Sequence, residues 1–122
     1  MNQGSTTLRN IPDVAAESNT NQYSCYDGTC GGGNGGTSFA APQWASLTAL
    51  ANEQEASEGK QPLGFLNTRL YEIGVGKRYN SIFHDITSGN NGQYSDVPGY
   101  DLVTGWGSLV GSVINSLLEI GR

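Results

Sequence analysis

The sequence predicts an α/β chain, and three observations carry that prediction. Apolar residues recur at helical spacing in three separate stretches. Asp27-Gly28, a tight-turn dipeptide, lies between two short segments suited to a β-hairpin. The strand-like run Ile82-Phe83-His84-Asp85-Ile86 then precedes a turn-rich stretch from Ser88 to Gly107.

Taken in order, residues 1–8 read as a disordered or truncated polar lead-in. Ile11-Pro12-Asp13-Val14-Ala15-Ala16 is short and apolar, broken by proline, and suits a strand end. In Cys25-Tyr26-Asp27-Gly28-Thr29-Cys30 the turn would bring the two thiols face to face. A disulfide, free thiols and a metal are the three readings, and two cysteines without a nearby histidine make a poor zinc site. A disulfide would favour an oxidising, extracytoplasmic compartment.

The run Gly31-Gly32-Gly33-Asn34-Gly35-Gly36 has almost no side chain to pack and is free to take positive φ. The first long helix follows, with Thr37 or Ser38 as N-cap and Pro42 within the first turns. Trp44, Leu47 and Ala51 share its apolar face, with Phe39 and Leu50 nearby. Glu53, Glu55 and Glu58 turn the pattern polar, and Gly59 ends it. A second helix is predicted at 64–73 from Leu63, Leu66, Leu70 and Ile73, stopped by Gly74. A last one is predicted at 108–120, with Leu109, Val113, Leu117 and Ile120 on one side.

With 122 residues, the chain has the length of one domain, and it shows neither an internal repeat nor a dividing linker. Lys+Arg number 6 against Asp+Glu 11, a formal net charge of -5. Arg9, Lys60, Lys77 and Arg78 are scattered, whereas a nucleic-acid binder needs a basic stripe. No apolar run approaches the roughly 20 residues of a membrane helix. With 18 glycines and only 14% charged residues, the composition is that of a compact, loop-rich protein.

Ser38 is the most informative residue for chemistry. It follows a glycine run, which lets a substrate backbone approach. It also opens a helix, whose unpaired N–H groups and positive end suit a developing oxyanion. The plain alternative is that Thr37 and Ser38 only cap the helix. His84 is the one histidine, and in its apolar segment it reads better as a structural residue than as a catalytic base. The G-x-S-x-G elbow is absent, and the glycine run lacks the lysine of a P-loop. Asp85 and Asp101 flank a loop rich in Gly and Asn, an arrangement open to an oxygen-ligand cage for Ca²⁺ or to simple turn and capping roles.

Four ordered segments together resemble the sedolisin family of serine-carboxyl peptidases. Gly36-Thr37-Ser38-Phe39-Ala40-Ala41-Pro42 is similar to its nucleophile motif, and Arg9-Asn10-Ile11-Pro12-Asp13-Val14-Ala15 to the segment before it. Leu63-Gly64-Phe65-Leu66-Asn67 with Leu70-Tyr71 resembles the family's next helix. Phe83-His84-Asp85-Ile86-Thr87-Ser88-Gly89-Asn90-Asn91-Gly92 and Gly99-Tyr100-Asp101-Leu102-Val103-Thr104-Gly105-Trp106-Gly107 resemble its calcium loop. The resemblance covers about residues 9–118.

This resemblance implies the C-terminal portion of a subtilisin-like fold, a parallel sheet with flanking helices, over residues 9–122. Ser38 would be the nucleophile of an acid endopeptidase working through an acyl-enzyme. Asp85 and Asp101, with main-chain carbonyls of Ile86, Val97 and Gly99, would hold Ca²⁺. Val97 departs from the glycine often found there, which a carbonyl ligand does not require. His84 drops out, because the family activates its serine with a glutamate. That glutamate, its partnering aspartate and the oxyanion-hole aspartate lie far upstream of the serine motif in the family. The segment before Ser38 contains only Asp13, Glu17 and Asp27 as acids, and Asp13 matches a different position. The resemblance therefore implies a catalytic-domain piece that is inactive alone, secreted, and completed by the upstream part in cis or trans. Its partners would be a polypeptide substrate and, for the isolated chain, further copies of itself, with no nucleic acid and no membrane. The alternative is a non-catalytic, calcium-stabilised binding or structural module.

Overall fold

The computed structural model describes residues 4–19 and 21–110. The chain runs β1 (Gln22–Tyr26), β2 (Thr29–Asn34), α1 (Thr37–Ser57), α2 (Asn67–Gly74), α3 (Tyr79–Ile82), β3 (Phe83–His84) and β4 (Ser108–Leu109). It is an α/β structure in which both sheets are two-stranded and antiparallel. Among the described residues there is no parallel sheet of the kind the resemblance implies.

β1 and β2 form the expected hairpin, with Cys25 opposite Cys30 and the two joined in a disulfide. Its turn holds Asp27 at φ 47° and Gly28 at φ 74°, the pair of positive values that matches strand twist. β1 and β2 pack chiefly on each other. The strand leaves Tyr23 and Tyr26 exposed.

α1 begins one residue earlier than the capping argument supposed. Gly36 is the N-cap at φ 99°, and no side chain caps the helix, so neither Thr37 nor Ser38 serves as cap. A glycine can turn the chain at positive φ where an L-residue is strained. Pro42 lies inside the helix, where it denies the Ser38 carbonyl its intrahelical donor. Glu58 closes the helix and Gly59, at φ 71°, leads the chain out. Glu55 is buried rather than part of a polar face, with Lys60 Nζ 3.9 Å from its carboxylate.

The core joins Ala51 of α1 to Leu63, Leu70, Ile73, Ile82, Phe83, Tyr100 and Trp106. Trp106 is the hub of its aromatic part, with Tyr71, Tyr79 and Tyr100 rings at 5.7, 5.6 and 5.4 Å, all edge-on. Gly74, the last residue of α2, is small for a packing reason. A Cβ there would stand 2.3 Å from the Trp106 ring.

The predicted last helix is overridden at its start. Ser108 and Leu109 pair with His84 and Phe83 as β4, because the Phe83 and Ile82 backbone offers hydrogen bonds where the chain leaves Gly107. The remainder of that predicted helix, 111–120, lies outside the described residues.

Candidate functional site

The segment 12–19 is the backbone on which the Ser38 end of α1 is mounted. Trp106 N–H donates to the Asp13 carbonyl and Ala15 N–H to the Gly107 carbonyl, each at 2.9 Å. From the other side, Trp44 Nε1 donates to the Ala15 carbonyl and Gln43 Nε2 to the Glu17 carbonyl. The Gly36 amide donates to the Ser18 carbonyl at 2.6 Å. The turn before α1 is therefore held against residues 15–18, and Gly35 is packed so tightly on Asn19 that a Cβ would meet its backbone at 2.7 Å.

Ser38 occupies the exposed first turn of this helix. The amides of Thr37 and Ser38 open the helix and have no preceding turn to bond to, so the helix end presents donors and a positive dipole beside the hydroxyl. Among the described residues no carboxylate or imidazole hydrogen-bonds the Ser38 hydroxyl. His84 is exposed in β3, where its backbone pairs with Ser108. An open groove beside Ser38's helix is lined by Asp13, Val14, Ala15, Ser18, Thr37 and Trp44. It continues along Ala16 to Asn19 toward Ile86 and Thr104.

Asp13 anchors that mounting. Its Oδ1 accepts from the Tyr71 hydroxyl at 2.9 Å, and its Oδ2 from Asn67 Nδ2 at 2.8 Å and Arg9 Nη2 at 2.5 Å. Tyr100 donates to the neighbouring Pro12 carbonyl. Burial, then the bonds to Asp13 and Tyr100, raise the Tyr71 phenol above its usual range. Asp13 thus ties the segment before α1 to α2.

The second group of functional candidates lies in the loop from 85 to 101. Asp101 is 1% exposed. Its Oδ1 accepts from the amides of Val103 and Thr104 and the Thr104 hydroxyl, and its Oδ2 from the Val97 amide. Asp85 is half-buried, with Oδ1 accepting from the Tyr79 hydroxyl at 2.7 Å and Oδ2 from the Gly99 amide at 2.9 Å. The stretch 97–99 is thereby strung between the two carboxylates, which brings Val97, Gly99, Asp85 and Asp101 into one place. Ile86, next to Asp85, is half-buried at the groove.

Sequence reasoning missed Asp96 in this loop. It is buried, and its Oδ1 has no hydrogen-bond partner. Burial, and then the charge of Asp101, push its carboxyl above the usual carboxylate range. None of the described ion pairs reaches Asp85, Asp96 or Asp101. A loop with buried acids, an orphaned carboxylate oxygen and nearby carbonyls fits a hard cation, which takes oxygen ligands of these types. No three acidic, histidine or cysteine side chains converge on one point among the described residues. An ion here would draw part of its shell from main-chain carbonyls and water. Tyr79 was also missed, since nothing in the spacing marks a tyrosine six residues before an aspartate as its partner.

No family model and no solved structure matches this chain. Curated proteins do. It is 36% identical over 119 residues to kumamolisin of Bacillus sp. (strain MN-32), covering 90% of this chain and 20% of that protein. It is 35% identical over 105 residues to aorsin of Aspergillus oryzae, covering 82% of this chain and 15% of the relative. With tripeptidyl-peptidase 1 of Homo sapiens the identity is 36% over 83 residues, 60% of this chain and 14% of the other. The chain spans about a fifth or less of the length of these relatives.

Proposed function

The chain belongs to the sedolisin family of peptidases, and from that premise we propose that it is the nucleophile-bearing, calcium-binding segment of an acid serine endopeptidase. One observation carries the proposal. Ser38 stands exposed on the first turn of α1, behind a positive-φ Gly36, in the window that resembles the family's nucleophile motif.

In this reading Ser38 Oγ attacks the carbonyl carbon of a polypeptide substrate. Its proton passes to a carboxylate supplied by the upstream part of the catalytic domain, and then to the departing amine. Water resolves the resulting ester, returning the proton to Ser38. The amides at the start of α1 face the developing negative oxygen. A carboxylate base suits acidic conditions, because its pKa must lie near the working pH.

The upstream part, in cis or trans, would lie along the open groove at 15–19 and complete a subtilisin-like parallel sheet there. Asp85 and Asp101, with the carbonyls of Ile86, Val97 and Gly99, would hold Ca²⁺. The ion would supply the positive charge that lets these acids sit together. The Cys25–Cys30 disulfide supports a secreted or otherwise extracytoplasmic setting. No helix among the described residues is long and apolar enough to cross a membrane.

A second reading stands beside it, because the hydrogen bonds that gather Asp85 and Asp101 do not depend on Ser38 reacting. On it, the chain is a non-catalytic, calcium-stabilised module. Fluorophosphonate labelling and casein hydrolysis at about pH 4, near model carboxylate values, separate the two. The peptidase reading expects hydrolysis when the upstream part is present, abolished by Ser38→Ala. No labelling and no hydrolysis with that part present would leave the module.

A further inference from the structure

The sequence contains two Asn-Gly pairs, Asn34-Gly35 and Asn91-Gly92. In such a pair the glycine amide nitrogen can attack the asparagine Cγ, because no side chain on the second residue hinders the approach. The fold treats the two pairs oppositely. Gly35 is wedged against Asn19, where a Cβ would meet backbone at 2.7 Å. Asn34 Nδ2 donates to Ser24 Oγ at 2.8 Å and to the Gly31 carbonyl at 3.3 Å. That peptide has no room to swing toward its own side chain. Asn91 and Gly92 are exposed, and no atom lies within 4 Å of the place a Gly92 Cβ would take.

Asn91 and Gly92 stand in a tight turn, closed by the Asn91 amide on the Tyr94 carbonyl at 3.1 Å and by the Asn90–Ser95 bridge. Asn91 Oδ1 accepts from the amides of Gln93 at 3.1 Å and Tyr94 at 2.9 Å. The Gly92 amide donates to Asn90 Oδ1 at 3.0 Å. Asn91 Nδ2, the nitrogen that would leave, donates to the Leu102 carbonyl at 3.2 Å. The turn therefore places two donors on the oxygen that becomes negative when Cγ is attacked. It also places an acceptor on the nitrogen that attacks. Donors fixed in advance on a developing oxyanion lower the barrier to its formation.

We propose that Asn91-Gly92 is a self-modifying site, at which the folded chain converts Asn91 to aspartate and isoaspartate through a cyclic imide. The Gly92 nitrogen bonds to Asn91 Cγ and gives up its proton to solvent. The Cγ–Nδ2 bond then breaks, and ammonia leaves with its two amide hydrogens and one proton from solvent. Water next opens the imide at either carbonyl. Opening at Cγ yields aspartate, and opening at the main-chain carbonyl yields isoaspartate, with the backbone rerouted through the side chain. No oxidant or reductant takes part. The product carboxylate cannot donate to Leu102, so the modification also releases the turn from that residue and adds a negative charge to it.

The test uses the full, unaltered chain, aged in mildly alkaline water labelled with heavy oxygen, once folded and once in urea. The peptides that contain positions 34 and 91 are read separately by mass spectrometry, with aspartate and isoaspartate resolved by chromatography. In the folded chain Asn91 should convert at least about tenfold faster than Asn34. It should also convert about tenfold faster than the same residue in urea, a gain kept below the roughly hundredfold of an enclosed oxyanion site because the turn is open to water. In urea the two asparagines should convert at similar rates. A folded Asn91 no faster than the unfolded one would overturn the proposal, since the turn would then protect the pair rather than activate it. Folded Asn34 converting as fast as Asn91 would overturn it as well. Asn91→Gln keeps the donor and acceptor groups but must close a six-membered ring, so its turn peptide should take up no heavy oxygen at position 91. Uptake there at the rate of the unaltered chain would show that the label enters by another route and would also overturn the proposal.

Discussion

The Tyr79 hydroxyl donates to Asp85 Oδ1 at 2.7 Å, while its ring packs edge-on against Trp106 at a centroid distance of 5.6 Å. The same hydroxyl lies 3.0 Å from the Trp106 carbonyl. One side chain thus connects the candidate cation loop to the centre of the aromatic core. Burial, and then the bond to Asp85, raise the phenol above its usual pKa, so it stays a proton donor. Tyr79→Phe should keep the ring packing and lose only the hydroxyl. The expected cost is about 1.5–3 kcal/mol, the range for a hydrogen bond to a charged group. Calcium affinity should fall about tenfold or more, as when an outer partner of a ligand is removed. Urea unfolding and calcium calorimetry on the same samples check both, and an unchanged affinity would show that Asp85 needs no orienting partner.

Gly74 and Trp106 make a second, purely steric prediction. Gly74→Ala places a methyl 2.3 Å from the indole ring, which must then move within a packed aromatic group. Overpacking of this kind costs about 1–3 kcal/mol. Gly64→Ala is the control, because its φ of 69° strains an alanine but no atom lies within 4 Å. Trp fluorescence should shift with Gly74→Ala and not with Gly64→Ala.

The Tyr71–Asp13 bond predicts an alkaline loss of stability. Tyr71 faces Asp13, which also holds Arg9 and Asn67, and it faces the Tyr100 ring. Its folded pKa lies above the unfolded tyrosine value, with burial as the first cause. The stability linked to it is therefore fully present below about pH 10, the unfolded value. It is lost as pH rises from there through the folded value. Tyr100 is shifted the same way, again mainly by burial. Urea midpoints should be flat in this respect up to about pH 9 and fall above it. Tyr71→Phe should lower the plateau and make the fall shallower. An equally steep fall in the variant would assign the loss to other groups.

How much of this could be read from the sequence depended on whether the signal was local. Asp27-Gly28 imposes its own turn, so the hairpin and the facing cysteines were legible. α1 was legible too, because Gly59 marks its exit and Trp44 and Ala51 share its apolar side. The N-cap was misplaced because a glycine at positive φ competes with Thr37 and Ser38 and leaves no side-chain signature. Leu109 fits a helical pattern, yet pairing with Phe83 made it strand. The burial of Glu55 and Asp96 depends on residues distant in sequence or folded back by the loop, and charge patterning alone marks both as solvent-facing. Ser38 was marked by the glycine run before its helix and the pair Asp85 and Asp101 by their loop rich in Gly and Asn, and motif resemblance implied a role for each. What the structure adds is the backbone that mounts Ser38 and the hydrogen bonds that gather the two acids.

The disulfide should matter locally and not globally. β1 and β2 pack chiefly on each other, and their link to the rest runs through the turn at Gly35 and Gly36, where the Gly36 amide bonds Ser18. Closing so short a loop restricts the unfolded chain by about 2 kcal/mol on the loop-entropy model. That stabilisation belongs to the hairpin, whose three consecutive glycines, Gly31 to Gly33, favour the open chain. Replacing both cysteines by serine should therefore speed amide exchange across 22–34 and leave α2 and β3 protected as before. The thermal midpoint of the core should change little. If exchange rises equally in α2, the hairpin is coupled to the core through contacts stronger than the Gly36–Ser18 bond. The mounting of Ser38 would then depend on the oxidation state of Cys25 and Cys30.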